Sequence, residues 1–130
     1  MPSGNRGSMR RYKSVLIVDD DADVRESISD VLCFAGHPNI VAADGLEALA
    51  ALERCETPTL VLLDLLMPRM DGAAFLEGLG RLESPKNIHV VFISASREPR
   101  PESPLVIGEL PKPFDVDALL ALLAARPGSN

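Results

Sequence analysis

The chain has 130 residues, of which 46 % are hydrophobic and 25 % charged, with a formal net charge of −6 and a pI near 4.8. That length suits one globular domain with one substantial core, and no apolar run approaches the roughly twenty residues that a membrane helix needs. The acidic balance disfavours direct nucleic-acid binding, which relies on Lys and Arg to neutralise phosphates.

Cys33 and Cys55 are too few for a disulfide framework and have no Cys-x-x-Cys spacing. Two thiols in a reducing cytoplasm are therefore expected. The opening residues MPSGNRGSMRR carry basic groups but no apolar segment of a secretory signal. Residues 1–12 are expected to be a disordered leader or a cloning remnant, 13–126 the folded domain, and 127–130 a frayed tail.

In chain order, Ser14-Val15-Leu16-Ile17-Val18 is a short apolar run rich in β-branched residues, the pattern of a strand buried on both faces. It ends in Asp19, Asp20 and Asp21. Val24, Ile28, Val31, Leu32 and Ala35 follow at helical spacing, with Gly36 as a stop. Asn39 to Ala43 reads as a second strand, and Gly45 to Arg54 as a second helix with Leu46, Leu49, Ala50 and Leu52 as its apolar positions. After Pro58, Leu60 to Leu63 form a third strand that delivers Asp64. A carboxylate is costly to bury without a partner, so Asp64 is expected at the strand's carboxyl end.

Pro68 to Gly72 turns the chain into a third helix carrying Ala73, Phe75, Leu76, Leu79 and Leu82, and Ile88 to Ile93 is a fourth strand. His37 and His89 have no Cys, His or acidic neighbour at metal-ligand spacing and are expected to be ordinary surface or strand-end residues. Pro99, Pro101 and Pro104 argue for a shortened or irregular fourth helix. Val106 to Leu110 is a brief fifth strand, and Val116, Leu119, Leu120 and Leu123 mark a last helix.

Strands alternating with helices imply an α/β fold, a five-stranded parallel sheet covered on both faces and doubly wound. In such sheets the site lies beyond the carboxyl ends of the strands. Asp19 and Asp20 close the first strand, Asp64 the third and Ser94 the fourth, and Lys112 follows the fifth, so one rim should collect them. Three carboxylates within about 5 Å repel by roughly 3 kcal/mol per pair at an effective dielectric near 20. They need a cation. Oxygen-only ligands favour Mg²⁺ or Mn²⁺ over Zn²⁺, while Lys112 offsets charge beside Asp64 and the Ser94 hydroxyl offers a hydrogen bond. An aspartate so placed is suited to accepting a phosphoryl group.

Four segments in order, VLIVDDD, LVLLDLLMPRMDG, VVFISAS and LPKPF, resemble the receiver domains of two-component response regulators, and the resemblance covers Lys13 to Ala124. It implies a flavodoxin-like (βα)₅ fold with Asp64 as phosphoacceptor, Asp20 as a direct Mg²⁺ ligand and Asp19 acting mainly through water. It also implies a metal contact from the Leu66 backbone carbonyl, Ser94 as the switch hydroxyl, Ala95 as the small residue beside it, and Lys112 as the partner of the phosphoaspartate. In the family a cis peptide commonly precedes the position of Pro113. Asp21 is left as the N-cap of the first helix. The implied partners are a sensor histidine kinase or histidine phosphotransfer protein and a downstream protein target. The chain is expected to be a stand-alone receiver or one excised from a hybrid kinase, with self-catalysed phosphoacceptance rather than enzymatic turnover.

Two departures stand out. Only 18 positions separate Ser94 from Lys112, about one helical turn fewer than is usual in the family, which fits a truncated fourth helix. Glu109 occupies the position where the family typically has a Tyr or Phe that turns inward, and a glutamate cannot copy that burial cheaply. A monomer or atypical dimer with a modified output route is therefore expected. Leu66, two positions after Asp64, predicts slow self-hydrolysis of the phosphoryl group. The alternatives are a degenerate receiver used only for docking, and an aspartate-nucleophile phosphatase, for whose cap insertion the chain lacks length.

Overall fold

A computed structural model describes residues 12–64, 72–81, 87–94, 103–112 and 115–124. Among these, five strands, β1 (Ser14–Val18), β2 (Asn39–Ala42), β3 (Thr59–Asp64), β4 (Ile88–Ser94) and β5 (Val106–Pro111), alternate with four helices. The helices are α1 (Ala22–Phe34), α2 (Gly45–Leu52), α3 (Gly72–Leu79) and α4 (Val116–Ala124). All strands are parallel, in the order β2-β1-β3-β4-β5. The expected irregular helix after Ser94, together with the turn 65–71 and the position of Pro113, lies outside the described residues.

Two cores follow from the two-residue side-chain period of a strand. Leu16, Val18, Val61, Leu63, Val90 and Phe92 face α2 and α3, where Ala48, Ala51, Phe75 and Leu79 close over them. Val15, Ile17, Leu60, Leu62, Val91 and Ile93 face the other way, against Ile28 and Leu32 of α1 and Leu119 and Leu123 of α4. The three central strands are buried on both faces, which is why they read as continuous apolar runs. The strand order reverses between β1 and β3, and there the connections leave on opposite faces. That leaves a crevice at the carboxyl ends of these two strands.

The helix ends are set locally. Asp21 caps α1, its side chain accepting from the amides of Asp23 and Val24. At the other end Gly36, at φ 81°, allows the His37 amide to reach the Leu32 carbonyl and its own amide to reach Cys33. This pair of bonds is the Schellman stop, and its left-handed residue favours glycine. Asp44 caps α2 by accepting from the Glu47 amide, and Glu47 Oε1 accepts in return from the Ala43 amide.

Several expectations need correction. The buried face of α2 is Gly45, Ala48 and Ala51, while Leu46 is 57 % exposed and Ala50 is exposed. Small residues let the helix lie close to the sheet, and the larger Leu49 and Leu52 pack only at its margins. The helix stops at Leu52 rather than Arg54, and β2 stops at Ala42 rather than Ala43. Ala35 and Val116, taken as inward positions, are exposed at the ends of their helices. Tyr12, assigned to the leader, is buried, and its hydroxyl hydrogen-bonds to His89 Nδ1 at 2.7 Å. That bond explains why a histidine sits at the entrance of β4.

Candidate functional site

The register brings the predicted residues to one rim. β1 pairs with β3 up to Val18 and Leu63, so Asp19 and Asp64 come next on adjacent strands. The Asp19 amide continues the ladder by donating to the Ala42 carbonyl. By alternation Asp19 follows Val15 and Ile17, Asp64 follows Leu60 and Leu62, and Lys112 follows Leu110, all on the α1 and α4 face. Side chains that start from three strands therefore lean toward one another.

Asp19 is fully buried and Asp64 nearly so, whereas Asp20 is exposed. Carboxylate oxygens of these three residues lie within 4.8 Å of one another. Lys112 Nζ is 3.1 Å from Asp19 Oδ2 and 3.6 Å from Asp64 Oδ2. Burial alone would lower the pKa of this ammonium, but the two carboxylates outweigh it and the net shift is upward. Lys112 thus stands beside Asp64, as expected from sequence, but its shorter contact is with Asp19, which sequence reasoning did not anticipate.

Each polar atom of Asp19 is engaged. Oδ1 accepts from the Asp21 amide at 2.9 Å, and the main-chain carbonyl accepts from Arg25 Nη1 at 2.8 Å. Oδ2 is buried, and its contact with Lys112 is an ion pair without the alignment of a hydrogen bond. That oxygen retains capacity for a further ligand.

Lys112 balances one of three carboxylates, and the two remaining formal charges match one divalent cation. An all-oxygen donor set suits a hard ion. Two oxygens bound directly to Mg²⁺ at about 2.1 Å can be no more than about 4.2 Å apart. The span here therefore fits a cation if one carboxylate reaches it through water or the rim contracts by a few tenths of an ångström. The residues present fit the ion.

Ser94, the last residue of β4, is buried, and its carbonyl accepts from the Lys112 amide at 2.9 Å, which ties the ends of β4 and β5 together. Glu109 is exposed on β5, in register with Phe92. Leu66 and Ala95 lie outside the described residues. Arg25 was missed from sequence. The available signal was a long cationic side chain in the second turn of the helix that follows the aspartates, since helical side chains lean back toward the N-terminus.

A family model described as the response regulator receiver domain matches residues 15–124. Response regulator MprA of Mycobacterium sp. (strain KMS) is 38 % identical over 116 residues, covering 85 % of this chain and 49 % of that protein. The chain thus spans about half the length of the curated relatives it matches. Among solved structures, the CheY-like receiver domain protein from Methanospirillum hungatei JF-1 is 30 % identical with a TM-score of 0.75, over 85 % of this chain and 90 % of that one. Chemotaxis protein CheY4 of Vibrio cholerae is 29 % identical with a TM-score of 0.72, over 84 % and 93 %. With this fold, this rim and these relatives, the chain belongs to the response regulator receiver domain family.

Proposed function

We propose that Asp64 accepts a phosphoryl group from a phosphohistidine of a sensor kinase or phosphotransfer protein, and that the acyl phosphate so formed is the signal. The observation that carries this reading is the convergence of Asp64 with Asp19, Asp20 and Lys112 at the carboxyl ends of β1, β3 and β5. An Asp64 oxygen attacks phosphorus in line, the O–P bond forms as the N–P bond breaks, and the imidazole leaves with the electron pair. Lys112 stabilises charge that develops on the phosphoryl oxygens. The buried Ser94 hydroxyl, on the neighbouring strand end, donates to the transferred group.

Mg²⁺ or Mn²⁺, when bound, neutralises charge between the incoming phosphoryl oxygens and the carboxylates. The Asp21 amide occupies Oδ1 of Asp19 and the Lys112 ammonium stands against Oδ2, which favours Asp20 and Asp64 as direct ligands and leaves Asp19 Oδ2 to reach the ion through water. The Leu66 carbonyl is proposed as a further metal ligand, Ala95 as the small residue beside the phosphoryl group, and Glu109 as a switch position that stays outside. The protein is a phosphoacceptor rather than a turnover catalyst. It passes its signal to a protein target in the cytoplasm, where Cys33 and Cys55, both free, stay reduced.

Incubation with acetyl phosphate and Mg²⁺, followed by intact mass, tests the reading. A gain of one phosphoryl group in the native chain, absent with chelator and absent in Asp64→Asn, supports it. No gain, or a gain retained in Asp64→Asn, overturns it.

A further inference from the structure

Among the described residues, the α1 side of the rim contains one cation that the phosphoryl chemistry does not use. Arg25 Nη1 donates to the main-chain carbonyl of Asp19 at 2.8 Å, across six residues of sequence. That carbonyl belongs to the peptide unit that joins Asp19 to Asp20, so the guanidinium holds the plane from which both carboxylates project. Arg25 is itself anchored, because its amide donates to the Asp21 carbonyl in the first turn of α1. The side chain then folds back over that turn, in the direction helical side chains favour.

Two backbone restraints act on the same segment. The Asp19 amide donates to Ala42, and Asp19 Oδ1 accepts from the Asp21 amide. The first fixes Asp19, and the second closes an Asx turn whose ring includes the Asp19–Asp20 peptide, so Arg25 acts on that peptide together with the turn, from its carbonyl side. Asp20 is exposed. Its carboxylate remains within 4.8 Å of the Asp19 and Asp64 oxygens only if the intervening peptide keeps its orientation.

We infer that Arg25 is a positioning residue for the divalent-cation site, setting the Asp19–Asp20 peptide so that Asp20 faces Asp64. The inference rests on the metal-assisted reading of the rim. It assigns a function to a residue that touches neither the ion nor the phosphoryl group.

The sign of the effect separates positioning from charge. Arg25 is a cation near three carboxylates, so if only its charge mattered, removing it would tighten cation binding. If it positions Asp20, removing it weakens binding, as loss of a group that orients a metal ligand commonly does, by about ten-fold or more. Lysine keeps the charge but lacks the planar fork that holds a carbonyl in one direction.

Mg²⁺ itself is titrated calorimetrically into the native chain, Arg25→Met, Arg25→Lys and Asp20→Asn, with thermal melting in EDTA as the folding control. The expected result is affinity about ten-fold weaker in Arg25→Met and intermediate in Arg25→Lys, with melting in EDTA little changed. Unchanged or tighter binding in Arg25→Met overturns the inference, as does weaker binding that merely tracks a fall in melting temperature. If Arg25→Met does not fold, native-like affinity in Arg25→Lys overturns it equally. Saturable binding in the native chain that Asp20→Asn loses, with both Arg25 variants unaffected, removes the role of Arg25 alone. Absence of binding in the native chain removes the metal reading as well.

Discussion

The Lys112 ammonium stands 3.1 Å from Asp19 Oδ2 and 3.6 Å from Asp64 Oδ2, so the lysine that follows β5 is shared between two carboxylates and lies nearer the one that follows β1. It occupies space on Asp19 that a divalent cation would also favour. Lysine and metal therefore compete electrostatically for the same carboxylates before any phosphoryl group arrives.

That competition fixes the behaviour of Lys112→Met. Removing the ammonium leaves the buried Asp19 carboxylate unbalanced, and the partial exposure of the lysine reduces the penalty to about 1–3 kcal/mol. Urea denaturation in EDTA should show that loss. The same variant should bind Mg²⁺ about three- to ten-fold more tightly, because a repelling charge has gone, and saturating Mg²⁺ should restore much of its stability. A titration that finds weaker binding contradicts the shared-lysine picture.

The pH dependence has a definite sign. The pKa of Lys112 is raised above the ordinary 10.5. A group raised in the folded state contributes stability that is complete below its unfolded value and is lost as pH rises through the folded one. Stability measured in EDTA should therefore show no Lys112 contribution to its slope between pH 7 and 9. Above 10.5 the native chain should lose stability more steeply than Lys112→Met.

Asp20 and Asp21 are adjacent but hold different posts. Asp21→Ala removes the acceptor for the Asp23 and Val24 amides and should cost about 1 kcal/mol while leaving Mg²⁺ affinity within about two-fold, since Asp21 is no part of the acidic cluster. Asp20→Asn should do the reverse, with affinity down about ten-fold or more and melting in EDTA unchanged or raised as repulsion falls. Exchange of these two phenotypes would mean that the ligand assignment is one residue out.

The thiols differ in the same measurable way. Cys33 is exposed, whereas burial raises the Cys55 thiol pKa, an effect that nearby Arg54 only partly offsets. Thiolate is the reactive form, so iodoacetamide at neutral pH should label Cys33 several-fold faster, as read by peptide mass. Equal rates would show that the turn after α2 opens readily around Cys55.

Much of the site was legible because its residues stand at strand ends. An apolar run that stops at an aspartate, twice, and a serine and a lysine at two further strand boundaries place four groups on one rim once the strands are parallel. Asp21 was legible as a cap for the same local reason: it precedes the helical spacing of Val24 and Ile28. The face of α2 was not legible, because Leu46 and Ala50 look as apolar as Ala48 and Ala51. Which of them turns inward depends on how closely the helix approaches the sheet.

By itself, then, the sequence determined the alternation of strands and helices, the chemistry gathered at the rim and the family. Each of these depends on local period or on residue type. The tertiary structure decided the strand order, the pairing of Lys112 with Asp19 ahead of Asp64, the reach of Arg25 to the Asp19 carbonyl and the bond between Tyr12 and His89. The physical reason is geometry: the Lys112 and Tyr12 contacts join segments far apart in the chain, which only register brings together, and the local Arg25 contact depends on which way one side chain folds.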